Sequence, residues 1–279
     1  MCDPQGNIVL LNDSAWGIAP TPASLCDYAF RLGLRVERQP SSGFTALQQS
    51  GYFVYNNDTY KLLFDVSDVG PAFQPGHTHC DMLSFLVWHR GEPLFIDSGV
   101  GSYLDEDDRR YARATRAHNT VTIDHQEQSD IWSAFRVAKR ARITHASQLW
   151  EGETLILKGA HDGYSRFCSG LIHWRTITCQ GNVLQIFDRL EGQSSHEHDV
   201  SIYFHLAPYH QTVIQGNYCV VSQADERVVA RLALPSGMHA TLLERPFFPE
   251  FGKKLQHPVI LLSCTTRLPF TVETNIQLM

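Results

Sequence analysis

Residues 51–67 read GYFVYNNDTYKLLFDVS. Two runs rich in aromatic and β-branched side chains flank an Asn-Asn-Asp turn, the pattern of a β-hairpin. The same pattern recurs down the chain: LSFLVW (83–88), EPLFIDSG (92–99), NTVTID (119–124), ARITHAS (141–147), TLILKGA (154–160), GLIHWRTITC (170–179) and NVLQIFDRLEG (182–192). VSIYFHL (200–206), YCVVSQ (218–223), VVARLAL (228–234), HATLLER (239–245) and PVILLSC (258–264) continue it. Turn residues separate nearly every pair, and no helical period intervenes. The expectation is a mainly β fold, a large antiparallel two-sheet sandwich rather than a small barrel.

One helix signal stands ahead of this body. Thr21 is placed as N-cap, Pro22 at the first helical position and Gly33 as the stop for the stretch PASLCDYAFRLG. The expected division is a helical segment over 1–40 and a sandwich over 41–279. A chain of 279 residues with 43% hydrophobic and 19% charged residues is a folded domain rather than a disordered one. The formal charge of −6 argues against nucleic acid. The one basic run, RVAKRAR (136–142), reads as a solvated strand face that could still meet an anionic ligand. Seven scattered cysteines without a CxxC pair suggest neither a zinc knuckle nor a disulfide framework. No stretch of about 18 apolar residues indicates membrane insertion.

The chemistry-bearing constellation begins at GHTH (76–79). In an extended lead-in, His77 and His79 share one face. Asp97 ends the run PLFID, and His118 begins HNTVTID, each at a strand edge facing a cleft. Imidazoles and a carboxylate converging from neighbouring strands form a zinc-like donor set, though separate hydrogen-bonded histidines fit the spacing equally. An H-x-H after glycine is also found in cupins. The positions that would carry the cupin Glu and its following Gly hold Leu83 and Ser84.

The ordered series GHTHCDMLSF, FIDSGVGSY, RYARATRAHNTVTID, QSDIWSAFRVAKRA, HDGY (161–164) and HWRTI resembles the C-terminal domain of the heparinase II/III-like polysaccharide lyases, which include oligo-alginate and heparin lyases. The resemblance implies a super-sandwich behind an (α/α) toroid, and the opening LNDSAWGIAPTPASLCDYAFRLG looks like that toroid's tail. It implies β-elimination on a uronic acid polysaccharide, with His77 and Tyr103 in catalytic positions and Tyr111 competing with Tyr103. It places His79, Asp97 and His118 on a divalent metal, zinc expected, calcium or manganese as alternatives. His77 as a supporting or fourth ligand is the competing reading.

Arg113, Arg116 and Arg136 are candidates for pairing with substrate carboxylates, against surface salt bridges. His161 and His205 read as packing residues, and Trp132 as core or inter-domain packing. Implied partners are an acidic polysaccharide, a toroid on an upstream or separate polypeptide, and a second copy in a homodimer. Implied localisation is periplasm or cell envelope. Without the toroid the chain is expected to be weakly active or inactive, and the alternative is a non-catalytic, metal-stabilised glycan-binding or scaffold domain.

Overall fold

The computed structural model describes residues 1–35, 42–104 and 106–279. Helix α1 (Pro22–Arg31) begins as expected: the Thr21 side chain accepts from the Ser24 backbone N–H at 3.2 Å, and Pro22 occupies the first turn. The boundary expected at residues 40/41 lies outside the described residues. The stretch ahead of α1 is built into the body, since Val9 and Leu11 pack with Leu63, Leu86 and Trp88, and Trp16 bridges to Glu250.

Strands β1 (Gly43–Leu47), β2 (Tyr52–Asn56), β3 (Tyr60–Asp65), β4 (Phe85–His89) and β5 (Glu92–Phe95) form an antiparallel sheet in sequence order. The 51–67 hairpin is β2–β3, with Asn57 Oδ1 accepting from the Thr59 and Tyr60 N–H groups to hold the turn. Helix α2 (Asp107–Arg113) follows, opening on Asp107 and Asp108 and closing on Arg110 and Arg113, charges that suit a helix dipole. The sequence reading had no second helix there, because seven residues give too few turns for a periodic signal.

Then come β6 (Val121–Ile123), the hairpin β7 (Asp130–Ser133) and β8 (Arg136–Ala138), and the long meander β9 (Ile143–Glu151), β10 (Thr154–His161), β11 (Ile172–Gln180) and β12 (Val183–Glu191). The chain ends through β13 (His198–His205), β14 (Gln211–Gln215), β15 (Tyr218–Ser222), β16 (Val228–Ala233), β17 (His239–Phe247), β18 (Leu255–Thr266) and β19 (Phe270–Leu278).

An eight-stranded sheet runs β14-β15-β16-β19-β12-β11-β10-β9, and a four-stranded one β17-β18-β13-β6. The five-stranded sheet joins the latter irregularly: Ile96 N–H donates to His205 O at 2.9 Å and Ala207 N–H to Leu94 O at 3.1 Å. Burial alternates strictly along β11, so one face of the eight-stranded sheet is inward. One core collects Leu62, Phe85 and Phe95 with Ile202 and Ile260, and with Leu157, Ile177 and Ile186 of the eight-stranded sheet. The architecture is the expected two-layer sandwich, 49% strand and 8% helix. Among the described residues, no helix is long and apolar enough to cross a membrane. All seven cysteines are free, and Cys80, Cys179 and Cys219 are buried.

A buried polar chain ties the two layers together. Arg175 on β11 faces Asp188 on β12 and donates to both its oxygens at 2.8 and 2.9 Å. His173 Nε2–H donates to Asp188 at 2.8 Å, and His161 Nε2–H to His173 Nδ1 at 3.1 Å, so both rings are satisfied while neutral. Arg175 then reaches across the core to the carbonyls of Leu83 and Asn119. His161 is thus the packing residue expected.

Removing Arg175 strands a buried carboxylate. We expect Arg175→Leu to lower the unfolding free energy by about 3–5 kcal/mol in urea titrations; a change below about 1 kcal/mol would contradict the clamp. Burial alone would raise the Asp188 carboxyl, but Arg175 and His173 hold it down at about 2, below its ordinary 3.8. A depressed carboxylate stabilises the fold above its unfolded value and stops doing so as pH falls through its folded one. The contribution should therefore fade between about pH 4 and pH 2 and be absent from the acid titration of Asp188→Asn.

Candidate active site and metal centre

The loop after β5 places Asp97. Gly99 lies at φ +68°, a left-handed conformation, and its N–H returns to Asp97 Oδ1 at 2.9 Å. A Cβ on Gly99 would stand 2.1 Å from the Phe248 carbonyl oxygen, so glycine is required where the two backbones bridge. Ahead of β6, His118 is fixed through its neighbour. The buried Asn119 amide donates to Phe85 O at 2.7 Å and Ile96 O at 2.9 Å, while its Oδ1 accepts from His205 N–H at 2.6 Å. Three strands are stitched at one side chain.

His79, Asp97 and His118 converge, each offering a ligand atom within 4.8 Å of the others, and all are buried. His118 Nδ1–H donates to Asp97 Oδ2 at 2.7 Å and His79 Nε2–H to Asp13 Oδ1 at 2.9 Å. The second nitrogen of each ring, His79 Nδ1 and His118 Nε2, has no hydrogen-bond partner. Burial draws His79 below the ordinary imidazole range despite Asp13. For His118 the same burial is outweighed by the charge and hydrogen bond of Asp97, which lift it. Two imidazoles and a carboxylate, with orphaned buried nitrogens, fit a zinc-like divalent cation.

The structure separates the two histidines of GHTH. A 3-10 turn at Pro75–His77 breaks the extended register, so His77 is 53% exposed at its side chain while His79 is buried. They meet through one carboxylate instead of one strand face: His77 Nδ1–H donates to Asp13 Oδ2 at 2.8 Å. Buried Arg109 also donates to both Asp13 oxygens. Desolvation would raise Asp13, but hydrogen bonds from His79 and Arg109 hold it well below the usual carboxylate range. Asp13 was absent from the sequence-level site; no local motif marks a residue 64 positions from His77.

Tyr103 packs on His77, ring centroids 5.7 Å apart, among Phe135, Phe251 and the Arg109 guanidinium, and is 37% exposed. Its competitor Tyr111 is buried, with its hydroxyl 3.5 Å from Ser98 Oγ. His77 lines a cavity of about 890 Å³ together with Asn12, Gln48, Tyr52, Ser67 and Gln74, and a separate cavity of about 430 Å³ around helix α2 is lined by Arg109, Arg113, Arg116 and Trp132.

The three candidate arginines do not act together. Arg113 is fully buried and donates to the carbonyls of Thr78, Ser133 and Ala134, supporting the loop under the site rather than presenting a guanidinium to substrate. Arg116 is exposed at the separate cavity around α2, and Arg136 is exposed over the Trp132 ring at 5.9 Å. Trp132 is not a core residue: it is 66% exposed. His205 is buried against His257 and the Arg116 carbonyl, as a packing residue would be. Two further buried carboxylates were not singled out by sequence, Asp65 and Asp81. Burial and mutual repulsion raise Asp65, and burial raises Asp81 against the opposing charges of His118 and His79.

Gly99→Ala should lower stability by about 1–3 kcal/mol through the Phe248 clash and weaken divalent-metal uptake by moving Asp97. An unchanged urea midpoint with unchanged metal stoichiometry would contradict this placement.

The model of the "Heparinase II/III-like, C-terminal" family matches residues 39–264. Among solved structures, a heparinase III gene product superposes with TM-score 0.76 at 18% identity, covering 100% of this chain and 44% of its own. The heparan sulfate lyase HepC from Pedobacter heparinus gives TM-score 0.75 at 16% identity, with coverages of 99% and 44%. A chondroitin AC lyase from Streptomyces coelicolor A3 gives 0.57 at 10%, with 92% and 35%. The chain therefore spans less than half the length of these structures. No curated protein matches it in sequence. The matched span covers most of the strands, the histidines and Asp97, and the chain belongs to the heparinase II/III-like C-terminal domain family.

Proposed function

We propose that this chain is the sandwich half of a uronic acid polysaccharide lyase acting by β-elimination. The observation that carries the reading is an exposed His77, held at Nδ1 by Asp13 and paired with half-exposed Tyr103, directly above a buried His-Asp-His cluster. In β-elimination a base takes the proton next to the uronate carboxylate, the bond from C4 to the leaving oxygen breaks as the C4=C5 double bond forms, and an acid protonates that oxygen.

With Nδ1–H committed to Asp13, His77 turns its Nε2 to the cleft, where it can accept or return a proton. Burial and the Asp13 charge push the Tyr103 phenol up against the opposing Arg109, so it keeps its proton at neutral pH, the state an acid for the leaving group needs. His79, Asp97 and His118 would hold a divalent metal, zinc by donor type, whose charge would neutralise the acidic floor and fix its shape. Arg116 is an exposed guanidinium that lines a cavity with Arg109 and could pair with a substrate carboxylate or sulfate.

A helical half would complete the cleft. Helix α1 buries none of its residues and exposes Leu25, Tyr28 and Phe30, an apolar surface suited to packing against further helices. Charge neutralisation and positioning are incomplete from one side, so turnover by the chain alone is expected to be weak. The alternative, a non-catalytic glycan-binding module, draws on exposed Trp132 beneath Arg136, a pair able to stack on and neutralise an acidic sugar.

The test is formation of unsaturated uronate from heparan, chondroitin and alginate polymers, by this chain joined to a toroid half from a relative. His77→Ala should reduce turnover by roughly 100-fold or more, and Tyr103→Phe should also reduce it, with metal content unchanged in both. Full activity in His77→Ala would sink the reading. Glycan binding without turnover, lost in Trp132→Ala, would favour the alternative.

A further inference from the structure

An ionised carboxylate has no proton and only accepts hydrogen bonds. Both oxygens of Asp13 are doubly engaged. Oδ1 faces His79 Nε2 at 2.9 Å and Arg109 Nη1, while Oδ2 faces His77 Nδ1 at 2.8 Å and Arg109 Nη2 at 2.9 Å. The buried guanidinium holds the carboxylate in one plane and keeps its charge matched. Each imidazole nitrogen that meets it must therefore be an N–H.

The consequence falls on the other nitrogen of each ring. A neutral imidazole has one proton, and the hydrogen bond that fixes it on one nitrogen leaves a lone pair on the other. For His79 the lone pair falls on Nδ1, the buried nitrogen without a partner, on a ring whose centroid is 5.3 Å from that of His118. For His77 it falls on Nε2, on an exposed ring that lines the cavity of about 890 Å³.

The carboxylate is delivered by a tight turn. Ser14 N–H donates to Leu11 O at 3.0 Å, which places Asn12 and Asp13 at the turn's centre. Asn12 lies at φ +53°, a left-handed conformation that asparagine tolerates, and its Oδ1 accepts from the His79 backbone N–H at 2.9 Å. One turn thus holds His79 at both backbone and ring. Val9 and Leu11 anchor it by packing on Leu63, Leu86 and Trp88.

We propose that Asp13 is a positioning residue that sets the tautomers of both GHTH histidines at once, presenting His79 Nδ1 to a divalent metal and His77 Nε2 to substrate. A carboxylate behind a metal-binding imidazole orients the ring and raises its basicity. Here the same carboxylate also orients the cleft imidazole, so the metal centre and the catalytic face share one support. Neither ring can turn over without leaving an oxygen of Asp13 short of a donor. Arg109 extends the support to Tyr103, with its guanidinium 5.2 Å from that ring's centroid.

This inference rests on the reading of His77 as the cleft histidine and His79 as a ligand, and its test reads no turnover, so an inactive chain would count against the lyase reading alone. The chain is labelled with 15N-histidine, and two-bond proton–nitrogen NMR spectra are recorded metal-free and zinc-loaded at about pH 8, above the ordinary imidazole range. His77→Gln and His79→Gln assign the two rings by difference. The expected result is Nδ1–H for His77 and Nε2–H for His79, and on zinc loading a shift of His79 at Nδ1 with its Nε2 proton retained. In Asp13→Asn the amide cannot accept from both rings, so at least one should lose its single tautomer, and zinc affinity against a chromophoric chelator should fall roughly 10- to 100-fold. An Nε2–H tautomer for His77 in wild type, zinc on His79 Nε2, or a wild-type spectrum and affinity in Asp13→Asn would overturn the inference. No zinc uptake by wild type would overturn the metal centre and this inference with it. The wild-type spectra decide alone if Asp13→Asn does not fold.

Discussion

A carboxylate removed from water must find a cation, a proton or a set of hydrogen-bond donors, and this sandwich is organised by how its interior acids meet that demand. Asp188 is met by Arg175 and His173, and through Arg175 the eight-stranded sheet is tied to the loops of the opposite layer. Asp13 is met by Arg109 and two histidines, which fixes one imidazole at the surface and one beneath it. Asp97 is met by the Gly99 N–H and by His118, beside the two orphaned ring nitrogens. Apolar packing would hold the two layers together without any of these groups. It would not set the register of the loops, and loop register is what brings His79 ahead of β4, Asp97 after β5 and His118 ahead of β6 to one point.

Much of the fold was legible in the sequence because each strand carries its own local signal. Alternation in GLIHWRTITC and NVLQIFDRLEG is the burial pattern observed in β11 and β12. Helix α1 was legible from Thr21 and Pro22, residues whose roles are set by backbone chemistry. Helix α2 was not, since its seven residues pack Tyr111 and Ala112 inward while presenting a run of charges that reads as a loop. The strand face read from RVAKRAR is β8, its partner β7 carried no separate strand signal, and Trp132 is exposed at the edge of that hairpin.

The site was legible to the extent that it is made of a motif. His77, His79, Asp97, His118 and Tyr103 come together as the spacing and the resemblance implied, although His77 and His79 do so through a 3-10 turn and a shared carboxylate. Asp13 and Asn119 lay outside that reading for a physical reason. Each acts by satisfying a partner distant in sequence, and a burial-driven requirement of that kind leaves no periodic trace. Arg113 was misjudged on the same ground: its charge suggested substrate, while its three carbonyl partners show a scaffold.

Asp13 comes from the strap of chain ahead of α1, yet its partners lie 64, 66 and 96 residues further on. Closing loops of that length costs only slightly more than closing shorter ones, because the entropic cost grows with the logarithm of loop length. The cleft histidine therefore takes its orientation from a segment distant in sequence rather than from its own strand. Since the strap runs on into α1, any displacement of that helix would be transmitted along a few residues to Asp13. The surface imidazole is thus coupled, through Asp13, to the segment that leads into α1.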